Sequence, residues 1–226
     1  ATTRLNAQLM ETVTLLTKEI GAEYRDFFFF KGDAGLIPPD HAVRNPSVLY
    51  RSSAAAVALG AFYLSGIAEC LVVDVGGTTT DLVPLSGGRP VMETIVSENE
   101  RTVTTAVAAQ SIPYGGDSLI EERLCPTRVG NAIAFGGERP TLTDALNVTG
   151  CGIGDAMASR KITPLIAFEA LEEYYSLVSQ AVAMHGARRL VGTGYLAPFL
   201  VPEIARRTGT SVTIPPHWDC ANAVGV

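Results

Sequence analysis

Between Cys70 and Leu85 the chain reads CLVVDVGGTTTDLVPL, which sets Asp74, Gly76, Gly77, Thr78, Thr79, Thr80 and Asp81 in one short polar run between apolar flanks. That run is suited to holding a polyphosphate with its metal. Glycines carry no Cβ, so backbone N–H groups approach phosphate oxygens closely, and the threonine hydroxyls add donors. The two aspartates bracket the run. A carboxylate at the mouth of such a turn holds Mg²⁺ through its water shell, and Asp74 stands immediately before the glycines. The plainer reading of the same residues is a Gly-Gly hairpin whose threonines only favour strand.

The flanks decide the geometry. CLVVDV reads as a buried strand and TTDLVPL as a second one, so the glycines turn a hairpin. A Walker A loop or a dinucleotide fingerprint runs from its glycines into a helix instead, and no G-x-x-x-x-G-K-[ST] occurs in the chain. In SIPYGGDSLIEERL, Gly115 and Gly116 stand before a predicted helix, whose N-terminal N–H groups and dipole favour phosphate, with Asp117 in reach of a metal-bound water or of the attacking group. The same residues also make a turn with a helix cap. In RRLVGTGYLAPFLVPEIA a strand leads through Gly192 and Gly194 to a helix opening at Ala197, which is the looser dinucleotide fingerprint and makes a Rossmann enzyme the rival. That rival needs an acid at the end of the next strand. Pro215 and Pro216 stand there, with Asp219 beyond them.

Other segments supply the frame. Apolar spacing predicts an amphipathic helix over Thr3 to Ile20 closed by Gly21, and DFFFFKGD is expected as a strand covered on both sides. Gly32 to Pro46 is loop-rich, and the alanine-rich Ser53 to Gly66 is a buried helix that leads into the hairpin. RPVMETIV is a further strand, VGNAIAFGGERPTLTDALNVTG a strand, a turn and a short helix, and Thr163 to His185 a long helix. RRLVGTG, PFLVPEIARRTG and SVTIP follow as strand, helix and strand, and a last helix starts near Cys220. This alternation indicates an α/β sheet with helices packed on it. No repeat or linker marks a domain boundary within 1–226.

With 226 residues, 47% of them hydrophobic and 18% charged, the composition is globular. A net charge of −6 and a pI near 5.1 argue against a nucleic-acid or anionic-membrane surface, so phosphate binding has to be local. The charge-free run from Ser52 to Ala68 is rich in alanine and glycine and only marginally long for a membrane span, and reads as a buried helix. Cys70, Cys125, Cys151 and Cys220 are widely spaced and no secretory leader is visible, which points to a reducing cytosol. On that reading Asn147, in Asn-Val-Thr, is a chance acceptor. His41, His185 and His217 lack metal-ligand spacing and are expected on the surface or at caps, and Trp218 in packing. The chain begins with alanine and stops at CANAVGV, small residues suited to close helix packing, so both ends look cut.

Taken together, DVGGTTTD, YGGDS, VGTGYLAP and CANAVGV, in that order, resemble the hydantoinase/oxoprolinase family of the actin-like ATPase (ribonuclease H-like) fold. GGERPTLTDALNVTG is similar to that family's hydantoinase A signature. The chain departs from the family at RSSAAAV, where Ser-Gly-Pro-Ala is usual, and at GGDS, where a triple glycine is usual. The resemblance implies a C-terminal lobe with a β-hairpin phosphate loop, a missing N-terminal lobe that carries a second such hairpin, and a companion subunit of the hydantoinase B type. It also implies ATP and Mg²⁺ as cofactors, and phosphorylation of an amide or lactam oxygen that opens a ring of hydantoin or 5-oxoproline type. Asp74 would hold the hydrated metal, Gly76 to Thr80 the phosphates and Gly192 with Gly194 the adenosine. Asp117 would position the reactants, and Asp144 is a further catalytic candidate. A methanofuran-pathway synthase and a nucleotide-switch protein of the same superfamily are the alternatives. The short chain is expected to fold by itself without being an active ATPase.

Overall fold

The computed structural model describes residues 1–226. The chain enters through α1 (Thr2–Glu23), whose Leu5 and Val13 are buried. Gly21 does not end this helix. The last turn continues to Glu23, and Tyr24 N–H closes it on the Ile20 carbonyl. The phenylalanine run is also placed differently from expectation. Only Phe29–Phe30 form β1, paired with β2 (Leu36–Ile37) in a two-stranded ribbon outside the main sheet, and Phe28 is exposed. Phe29 finds its cover from Phe27, edge-on at 5.5 Å between ring centroids, and from Val13 and Ala42.

After α2 (Pro39–Arg44) and a 3₁₀ turn at Pro46–Leu49, Arg51 adopts a left-handed conformation and releases α3 (Ser52–Ser65). Gly66, at φ +69°, caps it. Fourteen residues at 1.5 Å each give about 21 Å, short of the roughly 30 Å of a bilayer core. The alanines of α3 bury one face of the sheet that follows.

That sheet is built from β3 (Cys70–Val75), β4 (Thr80–Ser86) and the short β5 (Arg89–Pro90), then, past the β6–β7 ribbon (Met92–Ser97, Glu100–Val107), from β8 (Gln110–Ile112). Next come the β9–β10 ribbon (Ser118–Ile120, Leu124–Arg128), α4 (Leu142–Val148) and the long α5 (Pro164–His185). β11 (Arg189–Thr193), α6 (Ala197–Thr208), β12 (Ser211–Thr213) and α7 (Ala221–Val224) complete the chain. The strand order is β12-β11-β3-β4-β5, with β8 also on β4. β12, β11 and β3 run parallel, whereas β3, β4 and β8 are antiparallel, which removes the all-parallel Rossmann sheet.

Strand alternation divides the side chains. Leu71, Val73, Val75, Leu82 and Leu190 face a core covered by α4, α5 and α6, while Cys70, Val72, Val83, Leu85 and Val191 face α3. α7 crosses α3 where side chains are smallest. A Cβ on Gly60 would meet the Ala221 carbonyl oxygen at 1.9 Å, and one on Gly225 would meet that of Ala56 at 1.8 Å.

Two local expectations are corrected. The segment after Gly115-Gly116 is the buried strand β9, not a helix: Ser118 N–H closes a single turn on the Gly115 carbonyl, and Ile120 N–H then pairs with the Pro140 carbonyl instead of continuing a helical ladder. Ile133–Phe135 is a 3₁₀ turn instead of a strand, since the N–H groups of Ile133 and Ala134 bond to the Asp144 carboxylate.

Candidate functional site

The same alternation lines up a polar row at the C-terminal end of β3. Asp74 is paired with Asp81 on β4 and Thr193 on β11, and Asp81 is paired with Ser111 on β8. Cross-strand partners share a face, so all four lie on the α3 side. Thr193 Oγ donates to Asp74 Oδ1 at 2.8 Å and fixes that carboxylate. Burial pushes the Asp74 carboxyl up to about 6, against the Thr193 hydrogen bond, which lowers it, and the Asp81 charge, which raises it further.

Between the strands, Gly76 to Thr79 form the loop. Gly76 N–H donates to the Thr79 carbonyl at 3.0 Å, which closes the turn. From below, Gly116 N–H donates to the Gly76 carbonyl at 2.9 Å and Asp117 N–H to that of Gly77 at 2.7 Å. With its carbonyls held there, the loop leaves the N–H groups of Gly77, Thr78 and Thr79 without a protein acceptor. Three successive free donors at the tip of a hairpin make an anion-binding concavity.

Close approach is what requires the glycines. A Cβ on Gly77 would stand 2.6 Å from Asp117 Oδ2, and one on Gly115 2.6 Å from the Gly76 carbonyl oxygen. Gly115 and Gly116 therefore support the loop from beneath. Their own N–H groups are engaged, by Ser118 Oγ and by Gly76, so the free phosphate donors expected of them are not there.

Three further residues differ from their sequence-based roles. Thr80, paired with Val75, points into the opposite core, where its hydroxyl meets Tyr174 Oη at 2.7 Å and donates to the Tyr114 carbonyl at 2.9 Å. It faces away from the loop mouth. Asp144 is wholly buried and forms a capping box with Thr141 at the start of α4. Its oxygens accept from the N–H groups of Ile133, Ala134 and Thr141 and from the hydroxyls of Thr141 and Ser159, at 2.7 to 3.1 Å. Nothing is left for a substrate. Gly192 is buried in β11, where a Cβ would collide with Ile214 Cδ1 at 2.4 Å.

Gly194 does reach the site. Its φ of +82° suits glycine, and a Cβ there would stand 2.5 Å from the Val75 carbonyl oxygen and 2.9 Å from Asp74 Oδ1. Tyr195 follows, half exposed and edge-on to Phe135 with 6.5 Å between ring centroids. Asp117 is half-buried and ion-paired with Arg128, whose Nε lies 3.0 Å from Oδ2. Burial raises the Asp117 carboxyl, Arg128 lowers it, and the Asp144 charge raises it.

Sequence reasoning missed Thr193, Ser111 and Arg128. Thr193 stood between two glycines that drew the attention, and the other two carry no local signal. The chain has no group of three His, Cys, Asp or Glu that would cage a metal directly. Asp74 and Asp81 are hard oxygen donors side by side, a set that fits Mg²⁺ with most of its shell from water and phosphate. Beside Asp81 a pocket of about 220 Å³ opens between the start of α3 and β8, lined also by Ser111, Ser53, Arg51 and Tyr50.

The hydantoinase/oxoprolinase family model matches residues 1–152. No curated protein matches the chain. Among solved structures it is similar to a nucleotide-free acetone carboxylase, from work on ATP-dependent acetone carboxylation, with TM-score 0.70 and 17% identity over 96% of this chain and 37% of that one. It is also similar to the ATP-dependent caprolactamase from Pseudomonas jessenii, with TM-score 0.65 and 21% identity over 97% and 38%. Both likenesses are of fold, the actin-like ATPase fold. The chain spans less than two fifths of either protein.

Proposed function

The chain belongs to the hydantoinase/oxoprolinase family, and from that premise we propose that its hairpin loop holds the phosphates of ATP while an amide or lactam oxygen is phosphorylated for ring opening. The observation that carries this reading is the set of free N–H groups on Gly77, Thr78 and Thr79 beside Asp74.

In this reading those three N–H groups and the Thr78 hydroxyl bind phosphate oxygens. Gly115, Gly116 and the backbone of Asp117 keep the loop in place, and Gly194 with Tyr195 receives the adenosine. Asp74, oriented by Thr193, and Asp81 would hold Mg²⁺ through its water shell. When bound, the ion would offset charge on the transferring phosphoryl group. The pocket beside Asp81 leaves room for a small cyclic amide, whose carbonyl oxygen forms the new O–P bond as the bond from the γ-phosphorus to ADP breaks. Water then adds to the activated carbon and the C–N bond breaks as its nitrogen takes up a proton, leaving an acyl phosphate that a second water hydrolyses to carboxylate and inorganic phosphate. A facing lobe with a second phosphate hairpin and a companion subunit complete the proposal, and we place the protein in the cytosol.

The test is Mg-ATP turnover by the intact protein across lactams, hydantoins and amines. ADP release stimulated by a cyclic amide, with ring-opened product, is expected. Stimulation by an amine with condensation would favour a synthase, and slow turnover indifferent to every compound a nucleotide switch.

A further inference from the structure

We propose that Arg128 is the side-chain cation of the phosphate site: paired with Asp117 in this structure, its guanidinium moves onto the terminal phosphate of a bound nucleoside triphosphate. This rests on the nucleotide reading above and adds to it the group that tells a triphosphate from a diphosphate.

The first support is charge. Asp74, Asp81 and Asp117 all stand at the loop, and the three free N–H groups carry only partial positive charge. Asp117 alone of the three has a basic side chain within ion-pair distance, Arg128. A polyphosphate brought to this acidic surface needs a cation besides its metal, and Arg128 is the one that is ion-paired with an aspartate at the loop. Asp117 Oδ2 joins them, being 3.0 Å from Arg128 Nε and 2.6 Å from where a Gly77 Cβ would stand.

The second support is placement. β9 and β10 pair at Leu124 with Ile120 and at Arg128 with Ser118, and the register shifts between the two. A bulge of that kind re-aims the side chains beyond it. Here it sets Arg128 opposite Ser118, next to Asp117. The Arg128 side chain is 51% exposed, and its two terminal nitrogens have no acceptor in the protein. A half-exposed pair held through one nitrogen is weak and exchanges readily. A phosphate accepts the guanidinium fork through two parallel bonds, which Asp117 does not.

The experiment compares Mg-ADP with the Mg complex of a non-hydrolysable ATP analogue on the intact protein, by calorimetry. Arg128→Gln is expected to weaken the analogue about tenfold or more while changing ADP by less than about threefold. Asp117→Asn keeps the backbone N–H that holds Gly77 and frees Arg128, so it is expected to tighten the analogue. A pair that only braces the ribbon would give equal effects on the two nucleotides, or losses of the same sign in both variants, and either would overturn the assignment. Normal nucleotide binding by Arg128→Gln would overturn it alone and leave the ATP reading standing. Failure of the unsubstituted protein to bind either nucleotide would reject both.

Discussion

Asp144→Ala is expected to lower the stability of the chain by about 3–5 kcal/mol, read from the shift of its denaturant midpoint. Asp144 is wholly buried, and its carboxylate is the acceptor for three backbone N–H groups and two hydroxyls. Alanine orphans all five donors. Each buried donor left without a partner costs about 1–3 kcal/mol, and relaxation of the 3₁₀ turn with water entry keeps the total below the sum. The loss spreads outward, because the Asp144 contacts fix Ile133–Phe135 and the start of α4, whose Thr143 holds Gly116 under the loop. Asp144→Asn, which keeps one acceptor oxygen and turns an amide NH₂ toward donors, should fall between. A midpoint within about 1 kcal/mol of the unsubstituted chain would return Asp144 to the list of groups free for chemistry.

Asp74→Asn is expected to reduce Mg-ATP turnover of the intact protein by about a hundredfold or more while the fold persists. Asparagine has the same shape and still accepts the Thr193 hydroxyl, so what it removes is the negative charge beside the loop. Stability should respond in the opposite direction. Burial raises the Asp74 carboxyl from 3.8 to about 6, so the folded state holds the protonated form better than the unfolded state does. The ionised group therefore favours the unfolded chain, and that penalty grows as pH rises from about 4 to about 6 and is fully present at pH 7. A neutral amide escapes it, so the melting temperature at pH 7 should hold or rise. Full turnover in a folded Asp74→Asn protein would remove Asp74 from the site.

Much of this was legible because a strand covered on both faces declares itself as an unbroken apolar run. CLVVDV and TTDLVPL alternate between two covered faces, and the glycines between them leave no other turn, so the hairpin and its aspartates were readable from residues alone. Alternation also separates Thr80 from Thr78 and Thr79, but only once the pairing register is known. A shift of one residue would have turned Thr80 outward and Asp81 inward. Local rules misled at Gly115-Gly116, where a turn and cap pattern ends in strand because Ile120 finds its acceptor at Pro140, some twenty positions away. Asp144 was misread for a related reason. An acid three residues into a helix is a capping-box signature as well as a catalytic candidate, and the donors it binds at Ile133, Ala134 and Ser159 come from segments with no marked pattern. Arg128 could not be found, since a bulge between two short strands places it.

The central claim is that the tip of the hairpin binds phosphate through its own backbone. Amide chemical shifts followed during titration with Mg-ATP test it most directly. The account predicts that the N–H signals of Gly77, Thr78 and Thr79 move together and saturate, while those of Gly116 and Asp117, already bonded to the loop carbonyls, move less. Saturable binding that leaves those three signals in place, or no saturable binding into the millimolar range, would contradict it.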